Sequence, residues 1–173
     1  MNILNHFLGL FICLLLSPFI LLAQDQLPSI ELSNIKGEKV KVSDYSAEGK
    51  ITVMSFWATW CGPCKKELNN LSPLYEEWKE KYNMQLVAVS TDDARSSARV
   101  RPYAEGQAWD FDVLLDVNEE LKRSLNFQAV PYTVVFNQKG ELVYRHDGYK
   151  EGDEYELEEK LKEISAVSQP VKD

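Results

Sequence analysis

The chain has 173 residues, a length that suits one domain with a full hydrophobic core and is short for two. Its 19 lysines and arginines and 27 aspartates and glutamates give a net charge of −8 at pH 7. This acidic balance argues against nucleic acid and anionic lipid as partners, and its simplest consequence is solubility.

Residues 1–23 contain no Lys, Arg, Asp or Glu and are almost continuously apolar from Phe7 to Ala23. This run is shorter than the roughly 20 residues of a membrane-spanning helix and contains a Ser-Pro pair, so it predicts a signal peptide. Because no Lys or Arg precedes the run, an uncleaved membrane anchor over residues 7–23 is the alternative. In both cases residues 24–173 are predicted to fold as one exported domain, in the periplasm or cell envelope, where disulfides persist.

The next patterns predict a strand, a helix and a second strand. Apolar, β-rich runs at 51–56 and 84–90 indicate two buried strands. Between them one apolar face recurs at helical spacing, formed by Leu68, Leu71, Tyr75, Trp78 and Tyr82. Such a unit implies parallel strands joined by a right-handed crossover. Pro63 fits the first helical turn, whereas Pro73 is expected to kink the helix.

The remaining patterns predict an α/β domain with a hairpin and a C-terminal helix. The predicted elements are, in order, a helix over 94–109, a strand over 111–115, a helix over 118–126 capped by Asn118, and hairpin strands over 132–136 and 142–146. A last helix from Asp153 to Ala166 is expected to bury Leu157, Leu161 and Ile164 and to expose its glutamates.

Two cysteines, Cys61 and Cys64, lie at the turn from the first of these strands into its helix. A disulfide scaffold would need several bridges and a zinc site four ligands, and the chain has only one other cysteine and two histidines. A static bridge over so short a loop would remove little entropy from the unfolded chain. A redox-active dithiol is therefore the hypothesis that remains, with no metal involved.

The stretch FWATWCGPCKKE at 56–67, followed by AVPYT at 129–133, resembles the thioredoxin superfamily. It is most similar to the exported TlpA/ResA-like branch of thiol-disulfide oxidoreductases. The similarity covers roughly residues 27–165. It includes a leading stretch at 27–45 that resembles the branch's N-terminal β-hairpin, and a segment near 92–115 where the branch inserts a helix and a strand. The resemblance implies a thioredoxin fold, with a central mixed β-sheet flanked by helices.

The dithiol chemistry assigns different roles to the two cysteines. Cys61 is expected at the helix N-terminus, where free N–H groups and the helix dipole favour a thiolate, so it is the predicted nucleophile toward a partner's disulfide. Cys64, one turn later on the same face, is the predicted resolving thiol. The resemblance implies that the intervening Gly62 and Pro63 belong to reducing members, and we expect both to contribute to the substrate-binding surface.

The resolving thiol must lose a proton, and the sequence offers one candidate acceptor. In thioredoxin a buried Asp lies six residues before the first cysteine, and here that position is Ser55. Glu67, three residues after Cys64, is the predicted substitute, and the resemblance supports it because the branch has a functional glutamate at this motif position. Taken alone, a glutamate in the sequence KKELNN more often faces solvent.

Three further features concern the surroundings of the cysteines. The resemblance implies that Pro131, after Val130, forms a cis-proline loop that packs beside the cysteines and offers backbone groups to an extended substrate. Trp60 is predicted at the rim of the cleft and Trp57 in the core, with plain packing as the alternative for both. Many relatives have a proline five residues after the second cysteine where this chain has Asn69, so its helix is expected to bend elsewhere.

These observations predict an exported oxidoreductase that reduces disulfides of specific cell-envelope client proteins. No NADPH or flavin motif is present, so no cofactor is expected and the electrons are predicted to come from a membrane thiol donor. The resemblance allows apocytochromes c among the clients. A monomer without nucleic-acid partners is expected.

Three alternatives remain open. A thiol oxidant would use the same residues at a higher potential. A peroxidase of the peroxiredoxin type is disfavoured because Thr59 precedes Cys61 with Thr-x-Cys rather than Thr-x-x-Cys spacing. A copper-binding chaperone is disfavoured because the nearest histidine in the predicted domain, His146, is isolated in sequence and is given no role.

Overall fold

The computed structural model describes residues 26–167, so the predicted signal peptide lies outside the described residues. The described residues contain seven strands: β1 (Glu31–Asn34), β2 (Lys39–Lys41), β3 (Ile51–Trp57), β4 (Met84–Ser90), β5 (Asp112–Leu115), β6 (Tyr132–Phe136) and β7 (Leu142–Asp147). They also contain five α-helices: α1 (Gly62–Leu71), α2 (Tyr75–Tyr82), α3 (Val100–Gly106), α4 (Glu120–Ser124) and α5 (Asp153–Val167).

The seven strands form one mixed sheet in the order β2-β1-β5-β4-β3-β6-β7. Strand β4 runs parallel to both β3 and β5, and all other neighbouring strands are antiparallel. The predicted strand-helix-strand unit and the predicted β6–β7 hairpin are therefore both confirmed. So is the N-terminal hairpin, which joins the sheet through β5 of the inserted helix and strand.

Each face of the sheet carries its own hydrophobic core, and β3 contributes to both. All seven residues of β3 are buried, and their side chains alternate between the two faces. Ile51, Val53 and Trp57 face the core covered by α1, α2, α3 and α5. Met54 and Phe56 face the opposite core, which contains Leu121 of α4. Ser55, between Val53 and Trp57, therefore lies on the α1 side of the sheet.

Pro73 bends the helix that follows the cysteines, as predicted. The apolar face continues from α1 into α2, but a 3-10 turn at Ser72–Leu74 separates the two helices. The oxygen Oδ1 of Asn69 accepts a 3.0 Å hydrogen bond from the indole nitrogen of Trp109. Asn69, at the position where many relatives have a proline, thus links α1 to the segment between α3 and β5.

Two predictions about helices were wrong. The helix predicted over 94–109 is limited to α3 and a preceding 3-10 turn, because the Asp93 side chain accepts hydrogen bonds from the backbone of Arg95 and Ser96 and holds a turn there. Asn118 does not cap α4. Instead the buried Asp116 carboxylate accepts hydrogen bonds from the first three backbone N–H groups of the helix, at N···O distances of 2.7, 3.2 and 2.9 Å.

Among residues 26–167 no helix has the length and apolar character needed to cross a membrane.

Candidate active site

Cys61 and Cys64 form a disulfide at the junction of β3 and α1. Cys61 is the N-cap of α1, and its sulfur accepts a 3.3 Å hydrogen bond from the Cys64 backbone N–H. Pro63 lies in the first turn, where a missing N–H costs nothing. Cys61 is 5% exposed and Cys64 is fully buried. The position at the helix N-terminus predicted for Cys61 is confirmed, and Cys61 is the more exposed of the two cysteines.

The Glu67 side chain is buried against the sheet instead of facing solvent. Thr133 donates a 2.7 Å hydrogen bond to Oε1 of Glu67, and Ser55 donates a 3.3 Å hydrogen bond to Oε2. Ser55 and Thr133 are directly paired across β3 and β6, so the carboxylate spans two neighbouring strands. Glu67 thus supplies a carboxylate beside Ser55, the position at which thioredoxin has its buried aspartate.

Burial dominates the ionisation of Glu67. Desolvation raises the pKa of this carboxyl, and the hydrogen bonds from Thr133 and Ser55 lower it, with a net rise to about 7. The protonated and ionised forms of Glu67 are therefore both populated near neutral pH. A carboxyl group with this property can accept and release a proton under physiological conditions.

The residues predicted to bind substrate include an exposed group around the disulfide. Trp60 is 68% exposed, and Gly62 and Pro63 are also exposed. The Val130–Pro131 peptide bond is cis, and Pro131 is buried. Val130 packs against the core cluster that contains both cysteines.

Trp57 is fully buried, as predicted, in an aromatic cluster formed with the inserted segment. Its ring centroid lies 5.5 Å from that of Tyr103 and 5.0 Å from that of Trp109. The cluster packs the insertion against the end of β3, immediately before the cysteines.

Asp92 is a residue of the site that the sequence analysis missed. This aspartate is 1% exposed, and it accepts hydrogen bonds from the Thr59 backbone N–H at 2.7 Å and the Thr59 hydroxyl at 2.6 Å. The Ser90 hydroxyl donates a third, at 2.9 Å. Asp92 therefore fixes the chain two residues before Cys61. The available signal was its place just after β4, whose carboxyl end lies beside that of β3.

His146 is isolated in sequence and was given no role, but the sheet brings it close to Glu67. It lies near the end of the edge strand β7, and the β6–β7 register pairs it directly with Thr133, which donates a hydrogen bond to Glu67. Across residues 26–167 no group of three or more His, Cys, Asp or Glu side chains is arranged to hold a metal ion.

A disulfide at a strand-to-helix turn on a mixed α/β sheet, with a cis-proline loop, defines a thioredoxin-fold thiol-disulfide oxidoreductase. A family model described as the AhpC/TSA family matches residues 23–145, and the chain belongs to this family.

The chain is similar in sequence or structure to individual thioredoxin-like proteins. The chain is 32% identical to the thioredoxin-like protein YneN of Bacillus subtilis, over 79% of this chain and 76% of that protein. It is 27% identical to the thiol-disulfide oxidoreductase ResA of Bacillus thuringiensis, over 80% and 76% of the two chains. The solution structure of a thioredoxin-like protein from Porphyromonas gingivalis superposes with a TM-score of 0.74 at 36% identity, covering 85% of this chain and 96% of that one. The chain is thus a TlpA/ResA-like member of the thioredoxin superfamily.

Proposed function

We propose that this protein is exported and reduces disulfides in specific client proteins of the cell envelope. The observation that carries the proposal is the buried Glu67 carboxyl, three residues after Cys64 on α1, with a pKa of about 7. The catalytic residues are Cys61, Cys64 and Glu67. The substrate-binding surface is formed by Trp60, Gly62, Pro63, Val130 and Pro131.

The reaction begins with the reduced dithiol. The Cys61 thiolate attacks a client disulfide, forms a mixed disulfide and releases one client sulfur as a thiolate, which takes a proton from solvent. The Cys64 thiol then gives its proton to the Glu67 carboxylate, and the Cys64 sulfur attacks the Cys61 sulfur. The second client sulfur leaves with the electron pair, so the client gains two electrons and the Cys61–Cys64 pair loses two.

The charge of Glu67 also favours the reducing direction. A buried carboxylate one helical turn after Cys64 opposes a second negative charge, so it disfavours the thiolate and with it the reduced form. Each unit by which the thiol pKa rises lowers the potential of the couple by about 30 mV. The opposing effect is small. The hydrogen bond that the Cys64 backbone N–H donates to the Cys61 sulfur is a single neutral contact, so it stabilises a Cys61 thiolate only modestly.

Export is supported by the apolar, uncharged residues 1–23, which precede the domain proposed to span residues 24–173. In an oxidising compartment the oxidised Cys61–Cys64 pair has to be reduced again. The proposed source is a membrane thiol donor that docks on the same exposed surface. The exposed Trp60 offers a large apolar contact for either protein.

A trapping experiment in intact cells tests this function. A Cys64→Ser variant can form the mixed disulfide but cannot resolve it, so client proteins should stay attached through Cys61. We expect envelope proteins among the trapped partners, and none with the matched Cys61→Ser variant. Partners that are cytoplasmic, or that are captured equally by both variants, would contradict the proposal.

A further inference from the structure

A small cavity adjoins Glu67 between α1, β6, β7 and α5. Glu67 and Thr133 line it together with Tyr144, His146 and Asp153. Its volume of about 10 Å³ admits about one water molecule, and the polar side chains around it offer hydrogen-bonding partners. The buried carboxyl therefore shares a water-sized space with an imidazole ring.

The register of the sheet brings His146 to this cavity. Ser55 pairs with Thr133 across β3 and β6, and Thr133 pairs with His146 across β6 and β7, so the three residues form one row. Side chains that are directly opposite on antiparallel strands lie on the same face of the sheet. The Glu67 carboxyl accepts hydrogen bonds from Ser55 and Thr133, the first two residues of this row, and His146 is the third.

Asp153 orients the imidazole ring. Nε2 of His146 lies 3.0 Å from Oδ2 of Asp153, and Nδ1 lies 3.3 Å from the Tyr144 hydroxyl. The same Asp153 oxygen accepts a 2.8 Å hydrogen bond from the Lys150 backbone N–H, which fixes the carboxylate at the start of α5. The His146 side chain is 24% exposed, so it borders both the cavity and the solvent.

We propose that His146, held by Asp153, is the proton exit for Glu67 during thiol-disulfide exchange. The inference rests on the proposed role of Glu67 as the proton acceptor for Cys64. His146 acts through Glu67, so it is a positioning and relay residue and does not touch the reacting sulfurs.

The proton can be followed from thiol to solvent. The Cys64 thiol gives its proton to the Glu67 carboxylate as its sulfur bonds to that of Cys61. The neutral Glu67 carboxyl passes a proton to a cavity water, and that water passes one to Nδ1 of His146, the ring nitrogen that keeps a lone pair while Nε2–H donates to Asp153. The imidazolium then releases a proton to solvent on its exposed side, and Glu67 is again a carboxylate. Imidazole suits this step because it takes up and releases protons near neutral pH.

Several charged or titratable groups face this pathway. From β7 there is Tyr144, from the following loop Tyr149 and Lys150, from α5 Asp153, Glu154 and Glu156, and from α1 Glu67 itself. Of these groups, Asp153 is in direct contact with the ring, with Oδ2 3.0 Å from Nε2 of His146.

Chemical rescue by free imidazole tests the proposal. The reduced protein is mixed with oxidised glutathione, and the resolving step is followed by tryptophan fluorescence as a function of pH in weak buffer. Relative to the parent at neutral pH, His146→Ala should slow this step roughly three- to tenfold, less than the hundredfold or more that a missing catalytic acid or base can cost. Millimolar imidazole should restore most of the rate. Val143→Ala, an exposed change in the same strand, is the matched control and should resolve at the parent rate.

Glu67→Gln separates this inference from the function on which it rests. If Glu67→Gln resolves at the parent rate, Glu67 is not the proton acceptor and both ideas fail. If Glu67→Gln is slow while His146→Ala matches the parent, or if imidazole does not restore a slow His146→Ala, only the proton exit is wrong. Asp153→Asn is included in case His146→Ala folds poorly, because it keeps the side-chain volume. This variant should slow the resolving step less than His146→Ala does, and imidazole should again restore the rate.

Discussion

The Thr133 hydroxyl on β6 donates a 2.7 Å hydrogen bond to the Glu67 carboxyl on α1, and this contact joins the active-site helix to the strand that follows the cis-proline. Both residues are buried. An ionisable group is thereby held against the sheet, three residues after the resolving cysteine, where its charge affects stability as well as chemistry.

The first prediction concerns stability against pH. The pKa of Glu67 rises from an ordinary 4.5 to about 7 on folding, so between these values the folded state binds more protons than the unfolded state. The free energy of unfolding should therefore fall as pH rises through this window, by about 3 kcal/mol in total. In Glu67→Gln this contribution should vanish. Denaturant unfolding of the oxidised protein from about pH 4.5 to pH 8 measures the difference between parent and variant.

The Glu67→Gln variant also serves as the control for all other titrating groups. Other groups titrate equally in the parent and in Glu67→Gln, so only the difference between the two curves reports on Glu67. Parallel curves would mean that Glu67 is not desolvated in the folded protein.

The second prediction concerns the loop before Cys61. Asp92→Ala leaves the partly buried donors of Thr59 and the buried hydroxyl of Ser90 without their acceptor, and it should destabilise the fold by about 3 kcal/mol. It should also slow the reaction of Cys61 with a disulfide, because the preceding chain is no longer fixed. The exposed Asp110, between α3 and β5, is the control, and Asp110→Ala should cost about 0.5 kcal/mol or less. Equal effects of the two substitutions would show that Asp92 does not hold the loop.

The third prediction separates the two candidate caps of α4. Asp116→Ala removes the acceptor of three backbone N–H groups and should lower the free energy of unfolding by about 2 kcal/mol. Asn118→Ala should leave it nearly unchanged, since the Asn118 side chain does not cap the helix. Urea unfolding of both variants decides between them, and a larger loss in Asn118→Ala would restore the cap predicted from sequence.

The fourth prediction concerns peroxide. The Thr59 hydroxyl is held by Asp92 at 2.6 Å, so it is not free to bind a peroxide beside Cys61. The reduced protein should therefore consume hydrogen peroxide slowly, at the rate of an ordinary thiol. Cys61→Ser gives the background. Turnover far above that of a simple dithiol would support the peroxidase alternative.

The features that were predicted correctly are those encoded locally. The Trp-Cys-Gly-Pro-Cys stretch, the strand before it and the apolar face after it are contiguous, so position and burial followed from spacing and pattern. Glu67 could be predicted because Ser55 stands where thioredoxin has an aspartate, and a buried thiol then needs another proton acceptor nearby.

The features that were missed depend on how distant strands align. Asp92 reaches Thr59 only because β3 and β4 end at the same level, and His146 reaches the Glu67 cavity only through the registers of β3, β6 and β7. A shift of one residue in the β6–β7 register would turn His146 to the other face of the sheet. The cap of α4 was missed for a different, local reason: an N-cap normally binds N–H groups two or three residues later, whereas Asp116 binds those four to six residues later.

The midpoint potential of the Cys61–Cys64 couple tests the central claim most directly. The purified protein is equilibrated against dithiothreitol or glutathione buffers, and the fraction of disulfide is measured at each potential. We expect a value below about −220 mV, as for reducing members of this class of dithiol proteins. A value near −120 mV, as for a strong thiol oxidant, would contradict the account and reverse the direction of electron flow.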